Sequence, residues 1–206
     1  METPFLRLDD RDYREIMTDA AVSVLGAGGI DRFSVRAVAR WMKVVPATIL
    51  NYYNRARVLE IVIIRFAPRW LAWSGSQSMF GPSPSRIPLL LPSTPDERLG
   101  VRILSALQHL ADAELLRGNK APAIHLDRLR DEELELLRFR LTPVCCSNEP
   151  DDVVVQAVMA FVRGLRLSLS EGSSGLAVTE ATDLLSHFVE PAITHTAACA
   201  DGRLIS

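Results

Sequence analysis

Apolar residues in this chain recur every three or four positions over most of its length, and nowhere do they alternate with polar ones for long enough to make a strand. That period commits the backbone to helices. The expected class is all-α: nine or so helices, arranged as an N-terminal three-helix head bearing a helix-turn-helix and a larger helical body for ligand binding and dimerisation. The head is assigned to residues 1–56 and the body to 57–206.

The head is the most informative part. From Asp12 to Leu25 an apolar stripe runs through Tyr13, Ile16, Met17, Ala20, Ala21, Val24 and Leu25, and Gly26, Gly28 and Gly29 are expected to stop it. Ser34 can cap a second, short helix over Val35 to Met42, with Phe33 packing on Val38 as a staple. After Lys43, Val44 and Val45, Pro46 suits the first position of a third helix, because it has no amide to leave unsatisfied there. That helix is read to about Tyr53. A fourth follows Asn54, with Val58, Leu59, Val62, Ile63 and Phe66 inward and Pro68 as a candidate kink. Ser74 to Pro95 holds five prolines and reads as a loop. Helical patterns then resume over Leu99 to Leu110, Ile124 to Leu141, Val153 to Leu169 and Thr179 to His195.

Charge separates head from body. The formal net charge is only −2, but between Arg32 and Arg69 eight basic residues (Arg32, Arg36, Arg40, Lys43, Arg55, Arg57, Arg65, Arg69) face the single acid Glu60, a local net of +7. A basic segment in an otherwise acidic chain is the asymmetry of a module that meets phosphate. Two short helices joined by a tight turn, the second carrying groups that can meet phosphate and base edges, are the sequence form of a helix-turn-helix.

Within residues 11–60, the segments AAVSVLGAGG, FSVRAVARWM, PATILNYY and RARVLE resemble, in order and spacing, the N-terminal domain of TetR-family regulators. The resemblance covers about the first quarter of the chain. It implies DNA contact at Arg36 in the second helix and at Thr48 in the third, the latter through a phosphate. Arg36 could reach a guanine edge or a phosphate, Asn51 could pair bidentately with adenine, and Tyr52 and Tyr53 could donate to phosphate or wedge the helix against the core. Lys43, Pro46 and Ala47 belong to the same surface. Arg55 and Arg57, at the start of the fourth helix, are expected to favour a phosphate. Val35, Val38, Ala39, Met42, Ile49 and Tyr53 are assigned to the core. The sequence departs from the family pattern at Lys43 (usually Gly), Val45 (a serine cap), Leu50 (Tyr) and Ala56 (a basic residue).

The resemblance further implies a homodimer whose last two helices form a four-helix bundle with the second copy; Val158, Phe161, Leu165, Leu185, Phe188 and Ala192 are the expected interface. A two-fold dimer suits a palindromic operator on double-stranded DNA. A small-molecule effector is expected among Trp70, Trp73, Met79, Phe80, Leu107, His109, Leu110, His125, Phe139 and Phe161, in an apolar pocket. Its binding would release a repressor from its operator. No metal-ligand spacing, glycine-rich phosphate loop or nucleophile elbow is present, so neither an enzyme nor a cofactor or metal is expected. Cys145, Cys146 and Cys199 do not make a disulfide framework. With no signal-like start and no uninterrupted apolar span of membrane length, a soluble cytoplasmic protein is expected. The competing reading is a helical ligand carrier or partner-binding protein whose DNA grip has weakened, which Leu50 and Ala56 favour.

Overall fold

The computed structural model describes residues 10–76, 91–142, 150–171 and 176–200 of the chain. Met79, Phe80, Cys145 and Cys146, and the side chains of Ala192, His195 and Cys199, lie outside the described residues. Eight helices make up the described part: α1 (Asp10–Arg32), α2 (Val35–Trp41), α3 (Pro46–Leu50), α4 (Arg55–Ser76), α5 (Pro95–Leu116), α6 (Ala121–Leu141), α7 (Asp152–Glu171) and α8 (Val178–Ala200). Among the described residues there is no strand.

Local chemistry explains the starts of α2, α3 and α5. The Ser34 hydroxyl accepts from the Ala37 amide at 3.1 Å and starts α2, as its position before the apolar run predicts. Pro46 opens α3 as its first residue, with no side-chain cap from Val45. The start of α5 is a reciprocal cap: Glu97 accepts from the Ser93 and Thr94 amides at 2.6 and 2.9 Å, and Thr94 Oγ1 accepts from the Glu97 amide at 3.2 Å.

Three expectations are corrected. Helix α1 does not stop at Leu25: it continues through Gly26 and Gly28 and breaks only at Gly29, whose φ of 64° is a left-handed value that glycine adopts without strain. Helix α3 ends at Leu50 rather than Tyr53, and α4 runs through Pro68 to Ser76, shortening the expected loop from its N-terminal side.

The chain divides into two compact units, residues 1–70 with 102–129, and residues 71–101 with 130–206. The 1–56 head lies wholly in the first, and a cut after Ala56 falls in the first turn of α4. In the first unit α1 packs on α2 and α2 on α3. Met17, Ala20, Ala21 and Leu25 of α1, Val35, Val38 and Ala39 of α2, Ile49 of α3, and Val58, Leu59, Val62 and Ile63 of α4 are all buried. Each large side chain among them contributes about 1.5–3 kcal/mol by leaving water.

The second unit is centred on α7, packed on α8. Val155, Val158, Met159, Val162, Leu165 and Leu169 of α7 are buried with Leu137 and Leu141 of α6 and Ala181, Leu185 and Val189 of α8. Arg166, 4 % exposed, sits inside this core, donating to Glu133 at 3.0 Å with its guanidinium 5.7 Å from the Trp73 ring centroid; Arg163 donates to the same carboxylate at 3.1 Å. By length and composition α7 is apolar enough to cross a membrane. Its inward apolar residues are instead committed to this core, around a buried and paired charge.

Candidate nucleic-acid interface

Helices α2 and α3 are joined by a turn that closes the end of α2. Lys43 donates to the Arg40 carbonyl at 3.1 Å and Val44 to the Ala39 carbonyl at 3.0 Å, while Lys43 itself takes φ 58°. This is the left-handed closure that glycine normally supplies, adopted here by a lysine. The turn therefore carries a cation together with some backbone strain.

Helix α3 is five residues long and sinks a single side chain, Ile49, into the core. About 100° separates successive helical residues. With Ile49 inward, Ala47 and Asn51 share the centre of the opposite face and Thr48 and Leu50 flank it; all four are exposed. Tyr52 is 77 % exposed. Tyr53 turns inward and stacks on Tyr13 at 6.4 Å between centroids, wedging the stretch that follows α3 against α1. Burial, followed by the neighbouring Tyr53 and Tyr52 hydroxyls, pushes the Tyr13 phenol up from its usual value, so it stays neutral.

The cations of the basic segment fall into two groups. Arg32, Arg36, Arg40 and Lys43 are exposed and engage no carboxylate among the described residues. Arg36 and Arg40 are four apart on α2, on one face. The family resemblance brings out Arg36 but not Arg40 or Arg32, although the spacing of four on a helix is itself a signal. The four cations of α4 are all engaged. Arg55 lies 3.5 Å from Glu114, Arg57 is 2.6 Å from Glu60, Arg65 is 4.0 Å from Glu15, and Arg69 donates to Asp19 at 2.6 Å and Glu15 at 3.3 Å.

In the free chain the residues expected to hold a phosphate at the start of α4 already have partners of their own. Asn54 Oδ1 already occupies the Arg57 amide at 2.8 Å, and Arg55 and Arg57 are held by acids. Those acids are themselves fixed: Glu60 lies 3.4 Å from His125 Nε2, and the buried Glu114 accepts from Arg117 at 2.7 Å and Asn119 at 2.8 Å. Sequence reasoning misses the role of both acids, although Glu60 stands three residues after Arg57, the spacing at which helical side chains meet.

No protein-family model and no curated protein matches the sequence. Solved structures do match the fold. A transcriptional regulator from Rhodococcus sp. Rha1 superposes with a TM-score of 0.66 at 19 % identity, over 88 % of this chain and 96 % of that one. A TetR-like transcriptional regulator from the same source gives 0.61 at 20 % identity, over 89 % and 96 %. The regulator FadR from Bacillus subtilis, in complex with stearoyl-CoA, gives 0.53 at 14 % identity, over 87 % and 97 %.

The fold is that of TetR-like transcriptional regulators.

On this TetR-like fold the remaining expected residues take definite places. Trp70, Leu107 and Leu110 are buried in the first unit with the partly exposed His125, while Trp73 and Phe161 are half-buried in the second. Phe139 is 79 % exposed and lines no interior; it lies two residues from the inward Leu137 and Leu141, hence on the far side of α6. His109 has its ring 2.8 Å from the Ser105 carbonyl, one turn earlier on α5. Of the expected dimer residues, Val158, Leu165 and Leu185 are already buried within one chain and are corrected to intrachain core. Phe161 and Phe188 stack at 4.5 Å near the surface. The outward face of α7 instead shows Val153, Ala157, Ala160, Gly164 and Leu167, all exposed, beside the exposed Leu184 and Phe188 of α8. A Cβ at Gly164 would meet nothing within 4 Å.

Proposed function

We propose that this protein is a DNA-binding transcriptional regulator acting as a homodimer, a repressor released from its operator when a small lipophilic molecule binds the body. The observation that carries the reading is the set of exposed cations Arg32, Arg36, Arg40 and Lys43 around a two-helix unit whose second helix presents a solvent-facing polar and alkyl strip. Such an arrangement attracts phosphate while leaving side chains free for base edges.

Dimerisation is proposed through the outward stripe of α7 with Leu184 and Phe188, because small residues there permit close helix approach and the stripe leaves apolar area in water. For the effector, the FadR neighbour in complex with stearoyl-CoA favours long-chain, lipophilic molecules as first probes. Helix α4 runs from the first unit into the second and would carry the coupling. A ligand with unequal affinity for the two states must reveal itself as changed operator affinity.

The test is a gel-shift assay of the full chain on the DNA flanking its own coding sequence. A saturable, salt-sensitive shift, relieved by ligands that raise the melting temperature in a screen of fatty acids and acyl thioesters, is expected. Tight ligands that leave the shift untouched would defeat the sensor half of the reading. The engagement of Arg55 and Arg57 by carboxylates favours one rival, a ligand carrier with a weak DNA grip; binding of lipophilic ligands without any DNA shift would establish it. Leu167→Glu, at an exposed position, should leave the helical content intact and give monomers by light scattering; an unchanged dimer would move the interface elsewhere.

A further inference from the structure

The reading strip of α3 carries no charge at all. Its outward residues offer one amide (Asn51), one hydroxyl with a methyl group (Thr48) and alkyl groups (Ala47 and Leu50), with Val45 just before it. Leu50 is 50 % and Val45 67 % exposed. The nearby cations lie on α2 and in the turn, at Arg36, Arg40 and Lys43.

The two kinds of group recognise different parts of a duplex. Cations on the flanks neutralise phosphates and give affinity without sequence preference. A strip without Arg or Lys lacks the side chains that most often pair with guanine, whereas an asparagine amide matches adenine N6 and N7. Alkyl groups in the major groove have one specific counterpart, the 5-methyl of thymine. Amide and alkyl groups therefore select the same pair.

Resting on the DNA-binding reading above, we propose that α3 reads A·T pairs: Asn51 takes an adenine edge, and Ala47, Leu50 and Val45 pack on thymine methyl groups. The exposure of Leu50 and Val45 in the free chain is then the source of sequence dependence, since their alkyl surface leaves water only when a methyl group is there to cover it. Leu50 occupies a site where the resemblance implies tyrosine, so an aromatic phosphate donor has been exchanged for a base reader.

The experiment uses the full chain and duplex DNA. Selection from a random-sequence pool should return half-sites with an A·T core. Replacing each core thymine with deoxyuridine removes only the methyl group and should lower affinity about fourfold per contacted position. Leu50→Ala, at an exposed position, should leave the melting temperature unchanged and abolish the thymine-over-uracil preference at one position. Arg40→Ala should weaken thymine and uracil duplexes alike. Selected cores rich in G·C, or full affinity for the uracil duplex, would overturn the inference while leaving the regulator reading intact. Failure of the wild-type chain to bind any duplex would sink the regulator reading itself, and this inference with it.

Discussion

The eight cations between Arg32 and Arg69 divide at the end of α3. On the head side, Arg32, Arg36, Arg40 and Lys43 face solvent with no carboxylate partner among the described residues; on α4, Arg55, Arg57, Arg65 and Arg69 each have an acid within 4.0 Å. The exposed pairs of Arg65 and Arg69 with Glu15 and Asp19 stabilise a fold by only ~0–1 kcal/mol, whereas Arg55 and Arg57 compensate the buried Glu114 and the largely buried Glu60. All these pairs cancel field. An arginine whose charge is already offset by Glu60 or Glu114 gains less from a phosphate than one on α2, which has no carboxylate beside it among the described residues. Net charge along a stretch of sequence is therefore not the charge presented to a ligand.

The strongest way to break this contrast is to remove each group of cations in turn. Changing Arg36, Arg40 and Lys43 together to Gln should abolish measurable operator binding at moderate salt and flatten log K against log salt by ~0.9 for each phosphate no longer neutralised. The paired change at Arg55 and Arg57 should move that slope by much less. Equal losses would show that the α4 pairs open freely on DNA.

A smaller effect should come from Glu60→Gln, which releases Arg57. Affinity for duplex DNA should rise a few-fold and the salt slope steepen by up to ~0.9. In an Arg57→Ala background the gain should vanish; a gain that survives there would be a general charge effect rather than release of one arginine.

Lys43→Gly sharpens the contrast from the other side, because it separates strain from charge. Relief of the left-handed φ should raise unfolding stability by about 0.5–1 kcal/mol in a denaturant titration, while removal of the cation weakens DNA binding. If both rise together, the turn lysine is not part of the interface.

The smallest expected effect concerns an acid that serves the fold rather than a cation. Burial alone would raise the Glu97 carboxyl, but donors from Thr94, Trp73 and Ser93 outweigh it and hold it at about 2, below its ordinary 4.5. The cap contributes above the ordinary value and is lost as pH falls from about 4.5 through about 2. Glu97→Gln should cost about 1 kcal/mol or less near neutral pH and remove that part of the acid sensitivity.

Much of this is legible in the sequence, and the rest is hidden for identifiable reasons. Ser34, Pro46 and the apolar spacing around them act over four residues or fewer, so α2 and the start of α3 can be placed without tertiary information. The three glycines at the end of α1 cannot be ranked that way, because a glycine stops a helix only where the chain needs a positive φ, and of these only Gly29 has one. A count within Arg32 to Arg69 sees one acid, whereas the fold brings Glu15, Asp19 and Glu114 from outside it. On α7 and α8, periodicity shows that a stripe is apolar but not whether its own chain or a second copy covers it. Val158, Leu165 and Leu185 are covered by their own chain. Phe139 is different, since its distance of two from Leu137 and Leu141 is enough to point it outward without any structure.

The single buried anchor of α3 has an evolutionary consequence. Ile49 is the one side chain through which that helix holds its place in the core, so truncation there should cost about 2–5 kcal/mol, while changes at Ala47, Thr48, Leu50 or Asn51 fall on the exposed face, among near-neutral surface substitutions. On the proposed DNA-binding reading, duplicated copies of such a gene could drift to new target sites one outward residue at a time, with every intermediate still folded. On that same reading, the short stretch from Val45 to Asn51 would make a practical cartridge for redirecting the protein to a chosen promoter.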